Sequence, residues 1–126
     1  MPSERFKQGM ATRSAVLGKE HTDRATANQT EFDRDFQDFI TEGAWGSVWS
    51  RPGLTKRERS LITLALLAAL GQDDEVALHT RATANTGASP EDLKEAMLHV
   101  AVYAGVPKAN HAIKIIKRAL AETGAA

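Results

Sequence analysis

The sequence predicts an all-α fold, on three observations. Apolar residues recur at three- and four-residue spacing along most of the chain, as one face of a helix requires. No stretch shows the two-residue alternation and β-branched enrichment of a sheet strand. Helix starts built on serine, threonine or proline, and stops built on glycine, punctuate the chain at helix-length intervals. No solenoid period, low-complexity linker or sustained heptad interrupts this pattern, so the expectation is a single domain over residues 1–126, a compact bundle of about six to seven helices.

Each element has its own signal. Ser3 before Glu4 caps a first helix that reaches Leu17, where Gly18 permits a left-handed stop and Met10, Ser14 and Leu17 share a face. A short helix from His21 to Asn28 follows. Thr30 with Asp33 then begins a stronger one, with Phe32, Phe36, Phe39 and Ile40 on one stripe, which Gly43 and Gly46 loosen. Trp45 and Trp49, four apart, place two indoles on one face before Arg51-Pro52-Gly53 turns the chain. Thr55 and Glu58 form a threonine–x–x–glutamate cap for a helix ending at Gly71; being apolar nearly all round, this helix is expected to be central. Asp73, Asp74 and Glu75 suit the positive first turn of the next helix, which carries His79 and ends near Gly87. Ser89-Pro90-Glu91-Asp92 opens the following one, with Leu93, Met97, Val100 and Ala104 as its apolar stripe. Gly105-Val106-Pro107 breaks it. Pro107 opens the last helix, whose buried stripe is Ala109, Ala112, Ile113, Ile116 and Leu120.

Composition narrows the function. Sixteen basic residues balance 16 acidic ones, so the broad electrostatic attraction that nucleic acid or anionic membrane demands is missing, and neither is expected as a partner. With no cysteine, disulfides, thiolate zinc sites, iron–sulfur clusters and thiol redox cycles are excluded. The charged amino end lacks a secretory h-region, and Leu61–Leu70, about 15 Å as a helix, reaches half a bilayer's hydrocarbon thickness. The expected compartment is the cytoplasm. A G-x-G-x-x-G, a Walker A loop, a G-x-S-x-G elbow and an H-E-x-x-H are all missing. No metal and no cofactor are expected.

Glu75 and His79 lie four apart and so one turn apart on one helix face, where a carboxylate can orient an imidazole for proton transfer near neutral pH. The plainer alternative is an exposed pair adding a few tenths of a kcal/mol to the helix. Arg57 and Arg59 flank Glu58 at the start of the long apolar helix, and Arg51 sits in the preceding turn; a guanidinium fork there can grip a substrate carboxylate, or simply be solvated. Trp45, Trp49 and Tyr103 can wall an aromatic pocket or pack in a core. Asn110 and His111, just inside a helix start, are second-choice donors, while His99 between Leu98 and Val100 reads as a core or interface residue.

Read together, RFKQGMATRSAVLG, DFQDFITEGAWGSVWSRPGL, RSLITLALLAALG, EVALH and AVYAGVPKANHA stand in one order along the chain. In this the sequence resembles the carboxymuconolactone decarboxylase family over about Glu4 to Leu120. The resemblance implies an alkyl hydroperoxidase D-like helical fold. In that superfamily's peroxidases a C-x-x-C precedes a histidine; here the cysteine positions are Gln72 and Glu75, and the histidine is His79. The peroxidases' upstream glutamate falls at or near Ser60. Peroxidase chemistry is excluded without thiols.

The family's reaction, as the resemblance implies it, is cofactor-independent removal of carbon dioxide from 4-carboxymuconolactone to give 4-oxoadipate enol-lactone in the protocatechuate branch of the β-ketoadipate pathway. His79 and Glu75 would then be catalytic. Arg51, Arg57, Arg59, Ser60, Trp45, Trp49, Tyr103, Asn110 and His111 would bind or enclose the lactone carboxylate. A homo-oligomer built from trimers, a hexamer, is expected, with sites near subunit boundaries. The rivals are a decarboxylase or isomerase acting on another lactone or oxo-acid, and a helical binding or assembly module with no catalysis.

Overall fold

A computed structural model describes residues 2–124, and among them the structure is all-helical. Seven α-helices and one π-helix follow in order: α1 (Glu4–Leu17), α2 (Lys19–Ala27), α3 (Arg34–Ile40), the π-helix (Thr41–Trp49), α4 (Lys56–Leu70), α5 (Asp73–Thr86), α6 (Pro90–Tyr103) and α7 (Val106–Thr123). They fall into two compact units, Met1–Thr55 and Lys56–Ala126.

In the first unit α1 begins as the sequence predicts, with the Ser3 hydroxyl accepting from Phe6 N–H at 3.0 Å. Gly18 ends it at φ 95°, ψ 139°, a positive-φ but extended conformation rather than the left-handed helical one, so α2 starts one residue later. The buried face of α1 is Gly9, Arg13 and Val16, while Met10, Ser14 and Leu17 are half-buried. The face is displaced because α1 crosses the π-helix backbone to backbone. A Cβ on Gly9 would stand 2.1 Å from the Thr41 carbonyl oxygen, and one on Gly46 would stand 2.6 Å from that of Arg5. At Gly46 the missing side chain therefore serves that crossing, and neither Gly43 nor Gly46 ends the helical path of the chain. It continues as a π-helix whose hydroxyls reach back five residues, Ser47 Oγ to the Glu42 carbonyl at 3.1 Å and Ser50 Oγ to that of Trp45 at 2.7 Å. Thr30 and Asp33 close a turn ahead of α3, the Asp33 carboxylate accepting from Thr30 N–H at 2.7 Å. The phenylalanine stripe on and before α3 has the expected spacing, but Phe32, Phe36 and Phe39 are all exposed.

The second unit packs α4 to α7 around Leu64, Val76, Leu93, Met97, Ile116 and Leu120. The two-residue turn Gly71-Gln72 returns α5 antiparallel to α4. His111 meets Asp73 at 2.9 Å near the starts of α7 and α5, and Arg81 meets Glu122 at 3.4 Å toward their ends, so these two helices run parallel. A full capping box starts α6: the Ser89 hydroxyl accepts from Asp92 N–H at 3.0 Å and the Asp92 carboxylate accepts from Ser89 N–H at 2.9 Å. Ala104, expected in the α6 stripe, is exposed at the helix end, and Ile113 of the α7 stripe is 39% exposed. Helix α4 contacts α5, α6 and α7 but is not buried all round. It covers Ser60, Leu64 and Ala68 and leaves Ile62, Leu66 and Leu70 at 49%, 57% and 67% exposure. Within this unit α5, α6 and α7 provide neighbours for only one side of it.

Candidate active site

Helix α5 carries the chemistry-bearing side chains. Its first turn holds Asp73, Asp74 and Glu75, where carboxylates meet the unsatisfied N–H groups and the positive end of the helix dipole. One turn on, His79 is buried at 6% exposure, and its Nε2 stands 3.8 Å from Oε2 of the half-exposed Glu75. That separation lies just beyond hydrogen-bond reach, so the imidazole and the carboxylate face each other without a direct hydrogen bond between them. The pair thus joins a carboxylate that sees solvent to an imidazole that does not.

The same helix buries Thr80, Thr83 and Thr86. Thr80 Oγ1 donates to the Val76 carbonyl at 2.7 Å and Thr83 Oγ1 to that of Thr80 at 2.6 Å. Thr86 Oγ1 donates to Ser60 Oγ on α4 at 3.0 Å, with Ser60 fully buried. The three threonines, spaced three apart behind His79, form a buried polar row whose spacing the sequence displays.

The Ser60–Thr86 bond also sets the register of the α4–α5 hairpin. Because the helices are antiparallel, Arg57 and Arg59 lie at the Thr86 end, while His79 is seven residues back along α5, about 10 Å by helical rise. Arg57 is engaged there. Its Nε and Nη2 donate to the two Asp92 carboxylate oxygens at 2.8 and 2.6 Å, so a single aspartate takes a guanidinium fork and the cap of α6 together. The guanidinium holds the Asp92 carboxyl well below the usual carboxylate range, and Asp92 in turn raises Arg57. Arg59 is half-buried on α4.

The other expected residues are spread more widely. His111 is exposed and bonded to Asp73; Asn110 beside it is exposed. Tyr103 is exposed and stacked on His99, ring centroids 6.3 Å apart. Trp45 and Trp49 meet as their spacing predicts, centroids 5.1 Å apart and tilted by 31°, buried within the first unit, which also carries the exposed Arg51. An apolar groove of about 210 Å³ between α6 and α7 has neither Glu75 nor His79 in its wall. Among the described residues no cluster of three histidine or carboxylate side chains suits a metal ion, and no helix is long and apolar enough to cross a membrane.

The profile of the Carboxymuconolactone decarboxylase family matches residues 34–118, a span that contains every candidate residue from Trp45 to His111. The chain belongs to this family. It is 46% identical to the 4-carboxymuconolactone decarboxylase of Acinetobacter baylyi over 123 residues, 98% of this chain and 92% of that one. It is also 42% identical to the nitrosuccinic acid decarboxylase of Metarhizium robertsii over 91% of this chain and 80% of the relative. A shorter Pseudomonas putida sequence named 4-carboxymuconolactone decarboxylase matches 34% of this chain at 42% identity.

Proposed function

We propose that this chain decarboxylates 4-carboxymuconolactone to 4-oxoadipate enol-lactone and carbon dioxide without a cofactor. One observation carries the reading: a buried histidine faces a carboxylate across one helical turn, in a chain 46% identical over nearly its full length to a decarboxylase of that name. The substrate brings its own electron sink. When the bond to the departing carboxylate breaks, its electron pair passes through the ring double bond to the lactone carbonyl oxygen, and a proton then adds to the ring carbon beside that carbonyl. The protein has to orient the carboxylates, stabilise the developing oxyanion and deliver one proton.

In this reading His79, oriented by Glu75, supplies the proton or the oxyanion donor. Arg59, on the helix packed against that of His79, grips the remaining carboxylate, and Arg57 is forked onto Asp92. Tyr103 excludes water, Asn110 and His111 are auxiliary donors, and Ser60 supports the site from beneath. The family match crosses the junction of the two units, which supports reading them as one domain. The exposed apolar rows Ile62-Leu66-Leu70 on α4 and Leu98-Val102 on α6 support a homo-oligomer, for which we propose trimers joined into a hexamer, with the cytoplasm as its compartment.

The Metarhizium robertsii relative supports a second reading, because nitrosuccinic acid also carries a carboxylate next to a group able to accept an electron pair. Carbon dioxide release from each acid, corrected for spontaneous loss, separates the two. The first reading expects turnover of the lactone at a kcat/KM at least about a hundredfold above that of nitrosuccinate. The reverse ranking replaces it with the second, and no release from either removes both. Light scattering at micromolar concentration tests assembly: a monomeric mass contradicts the hexamer.

A further inference from the structure

The first turn of α4 is held at two points on one side. Arg57 is forked onto Asp92 of the α6 capping box, and three residues on, Ser60 accepts from Thr86 of α5. At 100° per residue these two positions lie about 60° apart around the helix, while Arg59 lies about 160° from Arg57 on the far side. Two fixed points three residues apart on the same flank define the helix's rotation. They therefore also define the direction in which Arg59 leaves it. An isolated surface ion pair has little such authority, but this one is bidentate and its carboxylate is further anchored by Ser89 N–H.

We propose that Arg57 and Asp92 are positioning residues of the decarboxylase site, which act with the Ser60–Thr86 bond to aim Arg59 at the substrate's carboxylate. The claim rests on the reading that Arg59 holds that carboxylate. Arg57 itself does not touch substrate. The device fixes a binding group and not the proton donor, so its loss acts on KM and leaves kcat, because His79 stands two turns away along α5. A displacement of the guanidinium by about 1 Å is enough to weaken a directional carboxylate fork severely.

Asp92→Asn tests this directly, because the amide oxygen can still accept from Ser89 N–H and keep the α6 cap while the charge-assisted fork is lost. The expected result is a KM raised about tenfold with kcat within about threefold of wild type, at unchanged helical circular dichroism and oligomer mass. Arg57→Lys, which keeps the charge but not the fork, falls between the two. Calorimetric binding of the ring-saturated lactone dicarboxylate, which cannot delocalise the electron pair, runs in parallel and needs no turnover. About tenfold weaker binding by Asp92→Asn than by wild type upholds the positioning role even for a protein without lactone turnover, which would count against the reaction and not against the device. Equal binding and equal KM in the two proteins overturn it, as does a fall in kcat at unchanged KM.

Discussion

Helices α5 and α7 are parallel neighbours in one unit, yet they bury opposite kinds of surface. Facing inward, α7 presents Ala109, Ala112, Ile116, Ala119 and Leu120; α5 presents Val76 and Ala82 but also His79, Thr80, Thr83 and Thr86. Buried polar groups stabilise a fold poorly unless every one is hydrogen-bonded, and a fully apolar α5 would hold this bundle at least as well. The difference teaches that α7 turns only packing surface inward while α5 gives interior positions to polar groups, His79 among them, which the proposed reaction would use.

Variants can break or sharpen this contrast. The largest effect on stability is expected on the apolar side: Ile116→Ala should lower unfolding free energy by about 2–5 kcal/mol in chemical denaturation, with kcat per folded molecule unchanged. On the polar side Thr86→Val should cost about 1–3 kcal/mol, because the buried Ser60 hydroxyl loses its donor; the same melt compares the two. Glu75→Gln should be almost silent in stability and lower kcat about tenfold, roughly 1.4 kcal/mol of barrier, in a carbon dioxide release assay. A fall in stability with kcat intact would instead make Glu75 a helix-start residue.

The smallest effect concerns acid. Asp92 titrates lower in the folded chain than in the unfolded one, so the unfolded state binds the extra proton first. The contribution of the Arg57–Asp92 pair is therefore complete above the ordinary carboxylate value, about pH 4, and is lost as pH falls through the lower folded value. Melting temperatures from pH 5 to pH 2 should drop less steeply for Asp92→Asn than for wild type; parallel slopes would contradict the linkage.

Much of this was legible in the sequence where the cause is local. Ser3, the Ser89-Pro90 start and Gly87, which takes φ 87° at the end of α5, mark helix ends through their own backbone chemistry. The tryptophan pair and the Glu75–His79 pair follow from spacing alone. What was not legible depends on partners distant in the chain. The π-helix is matched to a close crossing with α1 at Gly9, which no window around residues 41–49 contains. Periodicity marks the stripes Phe32-Phe36-Phe39 and Ile62-Leu66-Leu70 as apolar faces, but not whether anything in the same chain covers them. The fork of Arg57 joins it to Asp92, 35 positions away, a partner that no window around Arg57 contains.

The most direct test of the account is the His79→Ala variant, assayed for carbon dioxide release from freshly made 4-carboxymuconolactone against a no-enzyme control. The account predicts a kcat lowered by a factor of about 10²–10⁴ in a folded oligomer of unchanged mass. Turnover close to that of wild type in such an oligomer would contradict it and move the proton donor away from α5.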